Sequence, residues 1–169
     1  MNPDHHRRPT LLAILLLSCC APQAMALTSD KNQPIDIVAD SVDIDEAHGT
    51  STYSGHVEIN QGSIRLQADQ VVVEHHPGQP RKINATGAPA KFRQLPDGSK
   101  EYITGTARQL LYQLDSEELI LNGDAQLNQG KDRFHSDRIV YDRVKSIVKA
   151  GAAAQGKERV RVTIQPGQR

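Results

Sequence analysis

Aromatic residues and cysteine are scarce in this sequence of 169 residues, and neither sign of charge is in excess. Aromatic side chains make up 4% of the chain, tryptophan is absent, and the two cysteines are Cys19 and Cys20. The 20 lysines and arginines are balanced by 20 aspartates and glutamates. Because a chain without a basic surplus lacks the charge that holds nucleic acid by counterion release, we expect no nucleic acid partner.

Residues 1–26 have the three-part layout of a secretory signal peptide. Arg7 and Arg8 precede an apolar run at 11–17, and residues 24–26 form the small-x-small pattern of a cleavage site. The apolar run is well short of the roughly 20 residues needed to span a bilayer. The sequence therefore predicts a cleavable signal at 1–26 and an exported domain at 27–169.

Removal of this segment leaves 143 residues with 18 Lys+Arg, 19 Asp+Glu and no cysteine. That length is typical of one domain. A disulfide framework, a thiol nucleophile and a Cys-ligated metal are then excluded. One alternative remains open, because residues 16–19 loosely resemble a lipoprotein box that would leave Cys19 lipidated.

A short pattern occurs four times after the signal. It begins at residues 39, 68, 107 and 136, so the copies are 29, 39 and 29 residues apart. A second element that starts with glycine alternates with it, at Gly55, Gly87, Gly123 and, weakly, Gly151. Repetition at this spacing indicates stacked units of supersecondary structure.

Apolar residues alternate with polar ones throughout the repeats, and this period of two is the signature of β-strands. The apolar positions are 35/37, 42/44, 57/59, 64/66, 71/73, 110/112/114, 119/121, 125/127, 139/141 and 160/162/164. Gly55, Gly87 and Gly123 lie inside alternating runs, where glycine usually marks a bulge or bend. The sequence therefore predicts an all-β protein of many short strands, bent at regular positions.

Every predicted strand has one apolar face, which must be buried against something. Two interpretations are open: two layers that close into a dry core, or an aliphatic groove that accepts alkyl chains. The first and last strands, at 35–38 and 160–164, would leave unpaired edges. Such edges can pair head to tail with a second copy or a similar domain.

Sequence signals of catalysis and metal binding are weak. His75 and His76 are adjacent in a strand, so their side chains point to opposite faces and cannot share one metal. Asp40, Asp69 and Asp137 recur with the repeat, and we expect them to fix turns or edges rather than act as an acid–base pair. The sequence has no nucleophile elbow and no phosphate-binding loop. We expect neither enzymatic activity nor a cofactor or metal.

An ordered set of segments follows the signal peptide, at residues 33–37, 39–40, 55–62, 64–73 and 89–92. This set resembles the LptA/OstA-like family of periplasmic lipopolysaccharide-transport proteins, and the resemblance extends from about Gln33 to Ile164. The family implies an open, twisted β-jellyroll of about sixteen short antiparallel strands, with exposed N- and C-terminal edges.

The resemblance also implies a function and partners. Domains of this family stack head to tail into a bridge across the periplasm, with LptC at the N-terminal edge and LptD at the C-terminal edge. Lipopolysaccharide moves along the shared groove with its lipid A acyl chains inside.

The resemblance implies groove residues at the matching positions. They are Ile35, Ile37, Phe92, Tyr112 and Leu114, and the alternating pattern independently assigns them to the apolar face. Lys31, Lys91 and Arg93 would flank the groove, either as solvated strand residues or in contact with lipid A phosphates.

Overall fold

The computed structural model describes residues 30–76 and 79–165. The predicted signal peptide at 1–26 lies outside these residues. Within them the chain forms ten strands and two short 3-10 helices, at Asp30–Asn32 and Gly151–Ala154. The strands are β1 Asp36–Val38, β2 Ser41–Asp45, β3 Thr50–Gln61, β4 Ile64–His76, β5 Gln79–Gln94, β6 Ile103–Gln113, β7 Glu118–Gln129, β8 Asp132–Asp142, β9 Ile147–Ala150 and β10 Arg161–Thr163. Neither helix in this part of the chain is long and apolar enough to cross a membrane.

All described strands belong to one antiparallel sheet, in which β3 to β8 pair in chain order. The four short strands flank them: β1 and β2 both pair with β3, and β9 and β10 both pair with β8. The predicted open, all-β architecture is confirmed. The strand number is ten within the described residues rather than about sixteen, because the long strands run through their bends instead of stopping there.

The bends fold the sheet into two facing layers of eight segments each. Layer 1 contains β2, β9 and residues 50–54, 70–76, 79–86, 109–113, 118–122 and 138–142. Layer 2 contains β1, β10 and residues 57–61, 64–68, 90–94, 103–107, 125–129 and 132–136. When the halves of each bent strand are counted separately, the described segments number the implied sixteen.

Glycine produces two of the bends through its backbone freedom. Gly55 and His56 have φ angles of 79° and 44°, and Gly123 and Asp124 have φ angles of 75° and 48°. Left-handed backbone is accessible to glycine without steric cost, and the strand register shifts at both places. A third register shift lies between Thr86 and Ala90, which flank Gly87, so the predicted bends at Gly55, Gly87 and Gly123 are confirmed.

The weak fourth copy at Gly151 is not a strand bend. Residues Gly151–Ala154 form a 3-10 helix, closed by a 2.7 Å hydrogen bond from the Gly156 amide to the Gly151 carbonyl. This turn connects β9 in layer 1 to β10 in layer 2. The chain thus crosses between the layers through a turn here, whereas the long strands cross at their bends without a break.

The two layers converge at the bends and end in turns on the opposite side, which we call the open side. Small buried side chains line layer 2 beside the bends, at Ala68, Ala90, Ala107, Ala125 and Ser136. Farther from the bends, a Cβ atom on Gly105 of layer 2 would lie 2.8 Å from Cδ2 of Leu121 in layer 1. The layers are therefore in direct contact across the core.

Candidate functional site

Three apolar rows cross the inner faces from one edge of the sheet to the other. Each row follows the strand register through all eight segments of its layer. The row in layer 2 is Ile37, Ile59, Leu66, Phe92, Gly105, Leu127, Phe134 and Val162. The first row in layer 1 is Val42, Tyr53, Val71, Ala85, Leu110, Leu121, Ile139 and Ala150. The second row in layer 1 is Ile44, Ser51, Val73, Ile83, Tyr112, Leu119, Tyr141 and Val148.

The ends of the rows are exposed where the sheet ends. At the N-terminal edge, Val42 and Ile44 are 55% and 62% exposed. At the C-terminal edge, Val162 is 45% exposed and is followed by exposed Ile164. Because an edge strand has a neighbour on one side only, its inward side chains lack cover on the other. The apolar interior therefore reaches the surface at both ends of the fold.

The sequence-predicted groove residues occupy both layers. Ile37 and Phe92 belong to the layer 2 row, and Tyr112 belongs to layer 1. Phe92 and Tyr112 are 4% and 7% exposed, whereas Ile35, Ile37 and Leu114 are partly buried against the core. Ile35 lies just before β1, and Leu114 follows β6 at the open side. Their role in binding stays a prediction.

Between its edges the interior is tightly closed. Leu110, Leu119, Leu121, Leu127 and Ile139 are fully buried. These aliphatic side chains fill the space between the layers with one another. An alkyl chain therefore cannot enter the middle of the fold unless the two layers move apart.

A buried arginine joins the layers at the open side. Arg143 follows β8 in layer 1, and its side chain is 4% exposed. Its Nε donates a 2.8 Å hydrogen bond to Oε1 of Gln94, at the end of β5 in layer 2. The same guanidinium donates to the Tyr112 hydroxyl and lies 3.6 Å from Glu117 Oε2. One cation thus connects both layers to a predicted groove residue.

Asp30 completes this cluster from outside the sheet. Its Oδ2 lies 3.8 Å from Arg143 and accepts hydrogen bonds from Gln94 Nε2 at 3.2 Å and Ser63 Oγ at 2.8 Å. Its Oδ1 accepts a 2.6 Å hydrogen bond from the Ser63 amide. Because buried charges are costly unless paired and hydrogen-bonded, this arrangement is suited to closing the open side.

Burial raises the pKa of Tyr112 above its usual value, and the neighbouring Arg143 opposes that shift. Tyr112 therefore stays protonated at neutral pH. Its hydroxyl accepts the hydrogen bond from Arg143, so its ring faces the core while its oxygen faces the cluster. This one side chain marks the boundary between the apolar interior and the polar open side.

Sequence reasoning overlooked the closing cluster. A recurring signal was present: Gln61, Gln94 and Gln129 each stand two residues after an apolar inward position. By strand parity these glutamines mark where the inner face turns polar, and Gln61 and Gln94 are buried. Arg143 had no such signal, since it lies in a turn and acquires its partners only through folding.

Two of the recurring aspartates form hydrogen bonds at bends and edges, as predicted. Asp40 Oδ2 lies 2.8 Å from His56 Nδ1, and the Asp40 amide donates to the Gly55 carbonyl. Asp137 Oδ2 accepts a 2.6 Å hydrogen bond from the Lys157 amide. Within residues 30–76 and 79–165, no group of three His, Cys, Asp or Glu side chains is arranged to hold a metal ion.

The two sheet edges carry opposite charges. Residues 35–46, which contain β1 and β2, have five acidic and no basic residues. Residues 144–164, which contain β9 and β10, have five basic residues and one acidic residue. Each edge thus combines exposed apolar side chains with charge of one sign.

Together these features define a class of all-β protein: one folded antiparallel sheet with an apolar interior that reaches two edges of complementary charge. Comparison with known proteins identifies the family within this class. The model described as LptA/(LptD N-terminal domain) LPS transport protein matches residues 36–147. The chain belongs to this family.

Individual relatives agree with this assignment. The lipopolysaccharide export system protein LptA of Escherichia coli K12 is 37% identical over 133 residues, which cover 78% of this chain and 71% of that protein. LptA of Haemophilus influenzae is 33% identical over 161 residues, covering 94% and 92%. The crystal structure of LptH from Pseudomonas aeruginosa, the LptA homologous periplasmic component of a lipopolysaccharide transport device, has a TM-score of 0.75 at 29% identity. That match covers 82% of this chain and all of the LptH chain.

Proposed function

We propose that this protein binds lipopolysaccharide in the periplasm and carries it towards the outer membrane without catalysing a reaction. The acyl chains lie between the two layers, against Ile35, Ile37, Phe92, Tyr112 and Leu114. The observation that carries the proposal is the continuity of the three apolar rows from one edge to the other. An aliphatic lining of this kind matches the chemistry of alkyl chains.

Binding requires the layers to separate, because the inward side chains fill the space between them. The open side is the natural place for this movement, since the layers are continuous at the bends and end in turns opposite. The hydrogen bonds and ion pair of Arg143 connect the layers there and must break for the layers to separate. When the layers separate, their apolar side chains lose contact with one another and contact the acyl chains instead, so their apolar surface stays out of water.

The edges support assembly into a bridge. Strand addition at β1 and β2 or at β9 and β10 would extend the sheet, and the apolar rows would continue into the next domain. Opposite edge charges favour a head-to-tail arrangement over a symmetric one, in which like charges would meet. In the proposed bridge the N-terminal edge contacts LptC and the C-terminal edge contacts LptD.

Site-specific photocrosslinking tests the groove. A photoreactive residue at Phe92 or Tyr112 should crosslink to lipopolysaccharide. The same residue at Lys82, on the outer face of layer 1 opposite Glu74, serves as the control and should not. Ile37→Asp should reduce lipid binding, because it places an unpaired charge in the row. Equal labelling at position 82 and at the two groove positions would contradict a groove between the layers.

The polarity of assembly is tested by exchanging charges. Asp43→Lys and Lys149→Asp should each weaken self-association, because each places like charges at the junction. In a mixture of the two variants, the N-terminal edge that carries Asp43→Lys can meet the C-terminal edge that carries Lys149→Asp. Opposite charges then face each other again, and association should return at that junction. Added salt should weaken the unmodified assembly. If neither salt nor charge reversal changes self-association, the edge charges do not set the polarity of assembly.

Export is tested by mass spectrometry of protein from a periplasmic extract. Cleavage after Ala26 predicts a chain that begins at Leu27. A chain that begins at a lipid-modified Cys19 would instead support the lipoprotein alternative.

The closed packing of Leu110, Leu119 and Leu121 favours a second candidate, a structural assembly module of the cell envelope without a lipid ligand. Both candidates use the edges, but only the first uses the interior. Mass spectrometry of gently purified protein separates them. Acylated glycolipid that co-purifies with the unmodified chain and is lost from Ile37→Asp supports the carrier. Its absence from both favours the module.

A further inference from the structure

The outer face of layer 2 carries a basic surface on which one cation, Arg65, has a carboxylate neighbour. Two neighbouring outward rows run from β4 to β8 and continue to β10. The first row is Arg65, Arg93, Thr104, Asn128, Arg133 and Thr163. The second row is Gln67, Lys91, Thr106, Gln126, His135 and Arg161. Neither row contains a carboxylate over these strands. Lys91, Arg133 and Arg161 form no ion pair with any residue that the structure describes.

Arg65 and Arg93 form the centre of this surface and stand directly opposite each other on β4 and β5. Like charges at directly opposite positions destabilise a sheet. Both side chains are nevertheless held in place. The Arg93 guanidinium lies 4.6 Å from the centre of the Tyr102 ring, and Arg65 Nε donates a 3.0 Å hydrogen bond to Asn60 Oδ1.

The two arginines border a surface depression of about 320 Å³. Lys91 contributes a third cation to its lining, and Thr104 and Thr106 contribute hydroxyl groups. Arg65 also lies 3.3 Å from Glu58, so one of the three cations has a carboxylate neighbour. Three cations and two hydroxyls around one depression match the hydrogen-bonding needs of a phosphate group.

The outer face of layer 1 is arranged differently. There, Lys82 pairs with Glu74 at 2.8 Å, and the two stand opposite each other on β4 and β5. Arg81 pairs with Asp115 at 3.0 Å in the same layer. The same two strands thus carry an opposite-charge pair in one layer and a like-charge pair in the other. Surface positions that serve solubility alone do not require this difference.

We propose that the depression between Arg65, Lys91 and Arg93 binds a phosphate group on the sugar headgroup of the carried glycolipid. This assignment rests on the proposed function and adds a second site to it. Arg93 immediately precedes Gln94, where β5 ends at the open side. A headgroup whose acyl chains enter through the open side would therefore emerge beside these residues.

The test uses a glucosamine disaccharide that carries two phosphates and no acyl chains, titrated into the full mature protein and followed by amide chemical shifts. Shifts are expected at residues 65, 91, 93, 104 and 106. Arg65→Gln with Arg93→Gln should weaken binding at least tenfold. Arg81→Gln, which removes the same charge from a paired position in layer 1, should leave it within twofold.

Three results would overturn the assignment. They are unchanged binding by the Arg65/Arg93 double variant, equal binding of the same disaccharide without phosphates, and equally tight binding of inorganic phosphate alone. The last would indicate a site for free anions rather than a headgroup.

The variant Ile37→Asp separates this site from the groove. It should lose intact lipopolysaccharide but bind the phosphorylated disaccharide as the unmodified protein does. If the unmodified protein bound the disaccharide but no intact lipid, the carrier function would fail while the phosphate site stood. Intact lipid binding without disaccharide binding would reject the phosphate site alone.

Discussion

Arg143 Nε, just beyond the end of β8 in layer 1, donates a 2.8 Å hydrogen bond to Gln94 Oε1, at the end of β5 in layer 2. The two residues are 49 positions apart in the chain, and the arginine side chain is 4% exposed. With the Asp30 carboxylate 3.8 Å away, the connection is both charged and desolvated. It is the place where the two layers are tied together opposite the bends.

Replacing Arg143 should therefore cost more stability than a surface change. Arg143→Met leaves Asp30 buried without its cation, and removal of one partner from a buried ion pair typically costs about 3–5 kcal/mol. We expect a loss towards the lower end of that range, about 3 kcal/mol, measured by urea unfolding. Arg143→Lys should recover little, because an ammonium cannot reproduce the planar fork that reaches Gln94 and Tyr112.

Lys145→Met is the matched control for Arg143→Met. Lys145 pairs with Asp142 at 2.9 Å, but its side chain is largely exposed. Exposed pairs contribute at most about 1 kcal/mol. Equal losses in the two variants would mean that the Arg143 cluster has no special role in closing the open side.

Tyr112 and Tyr141 should respond differently to loss of the hydroxyl. They flank Leu119 in the same inner row. The Tyr112 hydroxyl accepts a hydrogen bond from Arg143. The buried Tyr141 hydroxyl makes no hydrogen bond of normal geometry with the described residues, although the nearby Ser146 side chain partly offsets the rise that burial causes in the pKa of Tyr141. Tyr112→Phe should destabilise by about 1–2 kcal/mol, and Tyr141→Phe should be neutral or stabilising. Thermal unfolding of both variants checks this, and the reverse order would contradict the hydrogen-bond assignment.

The contact between Gly105 and Leu121 predicts a compensating pair of substitutions. Gly105→Val should destabilise by about 1–3 kcal/mol, because the added atoms would meet Leu121 in a closed core. Leu121→Ala alone should cost about 2–5 kcal/mol through the cavity it leaves. Together they should cost less than the sum, with a coupling above about 0.5 kcal/mol in a double-mutant cycle. Simple additivity would mean that the layers do not touch there.

His56 should make stability depend on pH near neutrality. Its hydrogen bond to Asp40, reinforced by the carboxylate charge, raises the pKa of His56 above its ordinary 6.5. A raised folded-state pKa gives a stabilising contribution that is complete below the unfolded pKa and lost as pH rises through the folded value. His56→Asn, which tolerates the left-handed backbone at this position, should remove that dependence.

Nuclear magnetic resonance titration tests the cause of the shift directly. Asp40→Asn should return the pKa of His56 towards its ordinary value. Both side chains are exposed, so the change in stability is small and the titration is the sharper measurement. A pKa of His56 that does not respond to Asp40→Asn would reject the pairing.

The alternating pattern predicted which face of each central strand is buried. Val57, Ile59, Leu66, Val71 and Leu121 all lie in the core, as their parity indicated. Parity is reliable here because successive side chains in a strand must point to opposite faces. Parity was less informative at Val42 and Ile44. These two residues alternate in the same way, but they are exposed because they lie at an edge of the sheet.

Glycine positions predicted bends correctly at Gly55 and Gly123, since a positive φ is a local property of the residue. Gly151, the weak fourth copy of the repeat element, begins a 3-10 helix instead of lying inside a bent strand. The family resemblance implied about sixteen strands, and the described residues form ten, because six of them continue through their bends.

Local chemistry thus specifies a sheet with one apolar face and its bends, because strand alternation and backbone freedom act over a few neighbouring residues. The family was recognised from the resemblance of several segments and not from these local properties. Closure of the interior, the Arg143 connection and the like-charge pair of Arg65 and Arg93 appear only after folding. Each depends on atoms that are distant in the chain and are brought together by the folded sheet, and no local pattern records which residues will meet.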